Sequence, residues 1–314
     1  MIRTLRCEPN SYLKRAPIWR RASIALLLLS VAACRARETP IEPEQPKEIL
    51  DSGNHPAFPG FDISIYPGDA TLAAWKWPHS PYRWTGYYLG GPCHRDQTWR
   101  GKYASLSASG WGITAIYVGQ QDWARIPDLV PLFNRVDTPS AVDRTALPTA
   151  ASVSSAAITC SAVLLSAGQG LLEAQEAATM MAADGFPAGS TVFLDVEYVS
   201  SVNDSLTTYV RAWVRGLLQD GRYRPGIYTA RFNAPTISAA ARAAYTDVGA
   251  SGAPTFWLSA SSASLGFSID SRPVDVGYDY ASIWQGDLEA FDTWAGFALH
   301  IDRNVASRIS PSAP

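Results

Sequence analysis

Residues 191–198 read Thr-Val-Phe-Leu-Asp-Val-Glu-Tyr, a β-branched and aromatic run typical of a buried strand in a parallel sheet. Two carboxylates in this run, Asp195 and Glu197, lie two positions apart. Because successive side chains of a strand point to opposite faces, these two point the same way, with Cα atoms roughly 6.5 Å apart. Two like charges on one buried face are costly unless they are paired, protonated or used in chemistry.

The Asp195–Glu197 pair supports two interpretations. A protonated carboxyl group next to an ionised one is the arrangement that general acid catalysis at a glycosidic bond requires. Alternatively, the pair caps a strand end or binds an arginine, because structural ion pairs also perturb carboxylates. The local pattern leaves both interpretations open.

From about residue 57 onward, the chain alternates strand-like and helix-like segments. Eight strands are expected, at 61–66, 84–89, 112–119, 191–197, 225–229, 255–259, 281–285 and 298–302. The clearest helices are expected at 170–184 and 205–219, the second with apolar residues every three or four positions. The alternation predicts a single α/β domain, a (β/α)₈ TIM-barrel-like fold over residues 57–310. A doubly wound open sheet is the alternative, although no GxGxxG or Walker-type loop supports a nucleotide-binding version.

The N-terminus predicts export. Six lysines and arginines precede an apolar run from Ile24 to Leu29, and small residues then lead into Cys34, the layout of a secretory signal over residues 1–33. The sequence Leu-Ser-Val-Ala-Ala-Cys at 29–34 resembles a bacterial lipobox, which implies cleavage before Cys34 and lipid attachment to its sulfur. An ordinary signal peptide with a chance cysteine is the alternative. Residues 34–56 are rich in Glu and Pro and are expected to form an extended tether to a membrane.

Removal of such a leader changes the charge and the cysteine content. The full chain carries −2 from 26 basic and 28 acidic residues; losing six basic residues and Glu8 leaves 20 against 27, or −7. An acidic protein without a basic stripe is not expected to bind nucleic acid. With Cys7 removed and Cys34 lipidated, Cys93 and Cys160 remain. One disulfide is expected between them in an oxidising compartment, with two free buried thiols as the alternative. We expect no metal site and no cofactor.

Polar side chains fall at or near the C-terminal ends of the expected strands, the end of such a barrel that carries active sites. They are Asp62, Asp195, Glu197, Gln285 and Asp302, with Tyr88, Tyr117 and Tyr228 at similar depth. Strands one and eight are neighbours in a closed barrel, so Asp62 is expected close to Asp302. The alternative is that these two carboxylates bind loop amides or Arg83, or cap helices, and take no part in chemistry.

Aromatic residues suggest a saccharide ligand, because sugar rings present apolar C–H faces that stack on indole. Most tryptophans are expected in the core. Trp284, beside Gln285 at a strand end, is the one we expect to face a ligand, together with the three tyrosines above. The long connection at residues 120–168 is expected at the same end of the barrel.

Seven motifs carry a resemblance to a known family. They are GFDIS at 60–64, GYYLGGPCH at 86–94, YVGQQ at 117–121, FLDVE at 193–197, GRYRPGIY at 221–228, IWQ at 283–285 and IDRN at 301–304. In this order, over roughly residues 58–306, they resemble the bacterial glycoside-hydrolase-like domains formerly known as DUF1906. That family is itself similar to the GH25 lysozymes, which cleave peptidoglycan with a (β/α)-barrel.

The resemblance implies roles for four carboxyl groups. Asp62 corresponds to the early-strand Asp of the lysozymes, the Asp195–Glu197 pair to their mid-barrel D-x-E, and Asp302 to their late-strand Asp. Glu197 would be the general acid, with an ionised Asp195 supporting it electrostatically. The implied function is hydrolysis of peptidoglycan or a related cell-envelope glycan, here by the membrane-anchored lipoprotein that the N-terminus predicts. The alternatives are a non-catalytic glycan-binding module on the same barrel and an envelope scaffold that docks a protein.

Overall fold

The computed structural model describes residues 57–122, 160–261 and 265–314. The expected signal segment, Cys34, the tether and most of the long connection lie outside the described residues. Within the described part of the chain, no helix is both long enough and apolar enough to cross a membrane.

Eight strands form a closed barrel in chain order. The strands are β1 (Phe58–Asp62), β2 (Trp84–Gly90), β3 (Gly112–Val118), β4 (Thr191–Val196), β5 (Arg224–Ala230), β6 (Thr255–Ser259), β7 (Ala281–Trp294) and β8 (Phe297–Ala306). The α-helices of the described residues are α1 (Asp69–Trp75), α2 (Tyr103–Ala108), α3 (Ala167–Ala183), α4 (Asp204–Asp220) and α5 (Ala234–Val248), with 3₁₀ turns at Ala162–Leu164 and Pro273–Val276.

The predicted α/β barrel is confirmed, with one departure from a regular repeat. Strands β1 to β7 run parallel to one another, whereas β8 runs antiparallel to both β7 and β1. Ala295 and Gly296, which have φ angles of 48° and 83°, turn the chain directly from β7 into β8. Two successive residues with positive φ are typical of a tight hairpin turn, so no helix separates these strands. Both strands are accordingly longer than expected from the sequence.

The amphipathic pattern of the second predicted helix is realised in α4. Asn203 caps its N-terminus by accepting a hydrogen bond from the backbone N–H of Leu206 at 3.0 Å, and Gly221 ends it in the left-handed region. The buried face consists of Leu206, Tyr209, Val210, Ala212, Trp213, Val214 and Leu217. This face packs on the barrel and on the neighbouring helices α3 and α5.

The interior of the barrel is filled by aromatic side chains. The indole of Trp257 meets the rings of Trp84 and Phe193 edge-on, each at a centroid distance of 5.8 Å. Gly60 makes room for Trp84, because a Cβ at this position would lie 2.1 Å from the indole. This packed layer closes the barrel below its C-terminal end, so any site at that end is a cleft and not a channel.

The expected disulfide between Cys93 and Cys160 is present, with Cα atoms 4.7 Å apart. It joins the loop after β2 to the segment that leads into α3. The bond closes a sequence separation of 67 residues. In the unfolded chain such a crosslink removes much conformational freedom.

We expect reduction of this disulfide to destabilise the domain by about 2–4 kcal/mol, because the chain-entropy cost of closing so long a loop is of that order. The measurement is urea unfolding of the oxidised protein and of a Cys93→Ser/Cys160→Ser variant, both followed by tryptophan fluorescence. Coincident midpoints would contradict the prediction. Addition of a reductant to the double variant should change nothing.

Candidate active site

A cleft of about 280 Å³ opens at the C-terminal ends of the parallel strands. It is lined by Asp62, Tyr88, Ile116, Asp195, Glu197, Tyr228, Trp257, Gln285 and Asp302. Four of these residues are carboxylic acids, and none of the described lining residues is a lysine or an arginine. Three strands therefore bring four acidic groups to one small space.

The backbone explains how the four acids converge. Asp62 ends β1, and Asp195 lies at the end of β4 with Glu197 directly after that strand. Strand alternation turns Asp195 and Glu197 to the same face, as the sequence predicts. Because β8 runs antiparallel to β1, Asp302 pairs directly with Asp62 across the two strands. Gly86 on β2 leaves the space that Asp62 fills, since a Cβ there would lie 2.6 Å from the Asp62 Cβ.

Asp62 is 4% exposed and accepts three side-chain hydrogen bonds. The Tyr88 hydroxyl donates to Oδ2 at 2.8 Å, and the amides of Gln285 and Asn304 donate to Oδ1 at 3.0 and 2.7 Å. The Trp257 indole N–H donates to Oδ1 of Asn304 at 2.9 Å, which turns the amide nitrogen of Asn304 toward Asp62. Asp62 is thus the carboxylate of the cleft with the most complete set of donors.

Gln285 connects Asp62 to the other side of the cleft. Its amide nitrogen also donates to Oδ2 of Asp302 at 3.2 Å, and its amide oxygen accepts from the Tyr228 hydroxyl at 2.7 Å. The backbone N–H of Glu289 donates to Oδ1 of Asp302 at 2.7 Å. Neither Asp62 nor Asp302 pairs with Arg83, whose guanidinium lies over the ring of Trp77 at 3.5 Å.

The end of β4 is held by Gln121, the last residue of the YVGQQ motif. Its amide nitrogen donates to the backbone carbonyl of Asp195 at 2.8 Å, and its amide oxygen accepts from the backbone N–H of Glu197 at 3.0 Å. The side chain of Asp195 is 8% exposed, and its Oδ1 has no hydrogen-bond partner among the described residues. Glu197, which directly follows β4, is half-buried.

Burial raises the pKa of every carboxyl group in the cleft. The pKa of Asp302 rises to about 8, first through burial and then through the nearby charge of Asp62, while the Glu289 backbone N–H opposes the rise. Burial also raises the pKa of Glu197, and the Tyr198 backbone N–H opposes it. Because these groups interact, their protons are released by the cluster as a whole.

Asp195 and Asp62 differ in how well the cleft accommodates a charge. Burial, then Glu197 and then Asp62, raise the pKa of Asp195 well above its usual range, and no donor offsets them at Oδ1. Burial raises the pKa of Asp62 as well, but three hydrogen bonds act in the opposite direction. The structure therefore corrects the expectation that Asp195 is the ionised partner of Glu197: its surroundings favour a protonated Asp195.

Two of the residues expected to contact a ligand do not line the cleft. Tyr117 lies on the outer face of β3, where its hydroxyl donates to Oε2 of Glu176 at 2.6 Å. Trp284 is fully buried on the outer face of β7, and its indole N–H donates to the carbonyl of Ala260 at 3.1 Å. Both expectations were wrong for the same reason. Successive side chains of a strand point to opposite faces, and the adjacent residue, Ile116 in β3 or Gln285 in β7, is the one that points into the cleft. Tyr88, Tyr228 and Gln285 do line the cleft.

Three polar or aromatic residues of the site were not anticipated. Asn304 could have been found two positions after Asp302, on the same face of β8, and Gln121 stands at the end of a quoted motif. No sequence feature distinguishes Trp257 from the other apolar residues of its strand. Among the described residues, no group of three or more His, Cys, Asp or Glu side chains is arranged to hold a metal ion.

Comparison with known proteins identifies a family. The sequence model of the family described as Rv2525c-like, glycoside hydrolase-like domain matches residues 73–306. The comparison with curated proteins finds no significant match.

Solved structures provide more distant similarities. An uncharacterized protein of B. stearothermophilus is 17% identical over 80% of this chain and 96% of its own, with a TM-score of 0.48. The spore cortex lytic enzyme SleM of Clostridium perfringens is 13% identical over 81% of this chain and 68% of its own, with a TM-score of 0.48. The Tat-secreted protein Rv2525c of Mycobacterium tuberculosis is 14% identical over 83% of this chain and 98% of its own, with a TM-score of 0.43.

The raised pKa of the cleft carboxyls makes stability depend on pH. A carboxyl whose folded pKa exceeds its unfolded value binds more protons when folded, so its stabilising contribution is complete below the unfolded pKa and is lost as pH rises through the folded one. We expect Asp195→Asn to raise the free energy of unfolding at about pH 8 by about 1–3 kcal/mol, because the folded protein must keep a proton on Asp195 that the unfolded chain has released, and an amide removes that cost. The gain should shrink as the pH falls toward about 3, below the unfolded pKa of about 3.9, where Asp195 is protonated in both states.

Urea unfolding between these pH values measures the effect. The control is Asp270→Asn, the same change at an exposed position. Parallel curves for the native protein and Asp195→Asn would contradict the prediction.

Proposed function

We propose that this chain, which belongs to the Rv2525c-like, glycoside hydrolase-like domain family, hydrolyses glycosidic bonds in peptidoglycan or a related cell-envelope glycan. The observation that carries the proposal is the cleft in which four carboxyl groups meet without a basic side chain among its described lining residues. Burial keeps protons on such groups near neutral pH, which is the condition for general acid catalysis by a carboxylic acid.

Glu197 is the general acid in this proposal. Its pKa is raised by burial, and it is more exposed than Asp195. It gives its proton to the glycosidic oxygen as the bond between that oxygen and the anomeric carbon breaks. A water molecule then adds to the anomeric carbon, and its proton returns to the carboxyl cluster, which restores the starting state. The second carboxyl group in this step is Asp195 or Asp62.

Positive charge develops on the sugar ring as the bond breaks. Asp62 is placed to stabilise that charge, because its three hydrogen-bond donors support an ionised form better than the surroundings of Asp195 do. Asp302, opposite Asp62 and bridged to it by Gln285, completes the acidic wall of the cleft. Tyr88 and Tyr228 act as positioning residues, through hydrogen bonds to Asp62 and Gln285.

Export and anchoring are part of the proposal. We infer cleavage of a signal segment over residues 1–33, lipidation of Cys34 and a tether over residues 34–56. The disulfide between Cys93 and Cys160 supports an oxidising compartment, since such bonds persist mainly outside the cytosol. The partners would then be an envelope glycan and, through the lipid, a membrane.

A non-catalytic glycan-binding module is the second candidate. It is favoured by the surroundings of Asp195, which disfavour the ionised partner that the family resemblance implies for Glu197. A protein-docking scaffold is less favoured, because docking a protein does not require a cleft lined by four acids.

The test is release of soluble fragments from purified peptidoglycan by the native protein and by Glu197→Gln. We expect the substitution to reduce release by a factor of about 10²–10⁴, the usual contribution of a general acid. The matched control is Glu176→Gln, the same change outside the barrel, where an amide oxygen still accepts from Tyr117. It should release fragments at the native rate.

The remaining outcomes separate the candidates. If neither the native protein nor Glu197→Gln releases fragments but both sediment with peptidoglycan, the binding module is favoured and hydrolysis is contradicted. If neither cuts nor binds, peptidoglycan is not the ligand.

A further inference from the structure

Two large aromatic side chains are exposed beside the cleft. Tyr198 follows Glu197 directly after β4 and is 56% exposed, and Phe232 follows β5 and is 68% exposed. Their ring centroids lie 6.1 Å apart, with the ring planes inclined at 54°. Both lie at the C-terminal ends of parallel strands, the end at which the cleft opens, but neither is among the residues that line it.

A buried amide holds the two loops together. Asn233, which is 2% exposed, donates from its amide nitrogen to the carbonyl of Val199 at 2.8 Å and accepts from the N–H of Val199 at 3.1 Å. These reciprocal bonds fix the residue after Tyr198 to the residue after Phe232. The two rings are therefore placed side by side by the backbone, independently of any ligand.

Tyr198 is also attached directly to the candidate general acid, because it is the next residue in the chain after Glu197. A single exposed aromatic residue is unremarkable on a protein surface. Here two adjacent aromatic side chains are held in place by the buried amide of Asn233, and one of them directly follows Glu197 in the chain. Together they form a preorganised surface that extends outward from the cleft. A ligand that enters the cleft and extends beyond it on this side crosses the two rings.

The chemistry of the pair suits a sugar. A pyranose ring has apolar C–H groups on its faces and hydroxyls around its edge, and aromatic rings provide the matching apolar surface, with the Tyr198 hydroxyl as a polar handle. Because the rings are already in place, little conformational entropy is lost when a sugar covers them. A docked protein would require a far larger contact area than two side chains provide.

We propose that Tyr198 and Phe232 form a stacking platform for a sugar ring of the glycan chain, adjacent to the sugar that faces Glu197. The inference deepens the proposed function, on which it rests for the identity of the ligand. It has a distinct consequence: the platform contributes to binding of long glycan strands and not to binding of a disaccharide that occupies only the cleft.

The experiment measures binding in the Glu197→Gln protein, so that turnover does not interfere. The probes are glycan strands of six or more sugars, freed from peptidoglycan by an amidase, and the disaccharide obtained by digesting such strands with a separate glycosidase of known activity. We expect Tyr198→Ala and Phe232→Ala each to weaken binding of the long strands by about 3- to 10-fold, the range of an aromatic stacking contact. Binding of the disaccharide should change by less than about twofold.

Two controls test the ring itself. Tyr198→Phe keeps the aromatic face and should bind long strands like the parent. Trp77→Ala removes a half-exposed ring near Arg83, which precedes β2 at the opposite end of the barrel, and should also leave binding unchanged. Equal thermal unfolding midpoints would show that the alanine variants are folded.

The outcomes keep the platform and the proposed hydrolysis apart. Undiminished binding of long strands by both alanine variants overturns the platform, even if the native protein releases fragments. A selective loss for long strands supports the platform, even if the native protein releases none. An equal loss for disaccharides and long strands overturns it in favour of a role in shaping the cleft. If the parent binds no strand of any length, the platform and the glycan function are both contradicted.

Discussion

The antiparallel pairing of β8 with β1 and β7 is the constraint on which the barrel and its cleft both depend. It supplies the last hydrogen-bonded edge, so the described sheet has no open edge between β1 and β7. It also fixes Asp302 opposite Asp62 and brings Asn304 within hydrogen-bond distance of the same carboxylate. A shift of one residue in this register would turn Asp302 and Asn304 to the outer face. Closure of the fold and assembly of the site are consequences of a single strand register.

The same register creates an electrostatic problem that the fold resolves locally. Two carboxylates directly opposite each other on antiparallel strands repel when both are ionised. Gln285 donates to both Asp62 and Asp302, and burial raises the pKa of each, so the two groups are not readily ionised together. No described lysine or arginine enters the cleft to neutralise them. Such an arrangement lowers the stability of the folded protein at neutral pH, and a cluster of buried groups that lowers stability is typical of a site used for chemistry or binding.

The sequence pattern predicts where the acids lie, but not to which face of the strand every side chain points. Asp195 and Glu197 could be placed together because two-residue spacing on a strand determines a common face. The side-chain directions of Tyr117 and Trp284 could not be predicted in the same way. Every residue of β3 is buried, and buried residues also lie on both faces of the first part of β7, so no polar face distinguishes the two sides of these strands. The β7–β8 hairpin was missed because the preceding strand–helix alternation was extended to the end of the chain. Trp257 and Asn304 are joined by a hydrogen bond across 47 residues, and no local pattern reports such a contact.

The number of hydrogen-bond donors around each carboxyl group, and not the spacing of the carboxyl groups along the chain, determines which acid of the cleft is most easily ionised. The D-x-E spacing makes Asp195 the natural partner of Glu197, yet Oδ1 of Asp195 has no described donor, whereas Asp62 has three. The surroundings of Asp195 therefore favour its protonated form. A sugar ring that acquires positive charge would reverse this preference, because a nearby cation stabilises the ionised form of every carboxyl around it. Under the proposed hydrolysis, the cleft therefore stabilises a cationic transition state better than it stabilises its own negative charge, which is the differential stabilisation that catalysis requires.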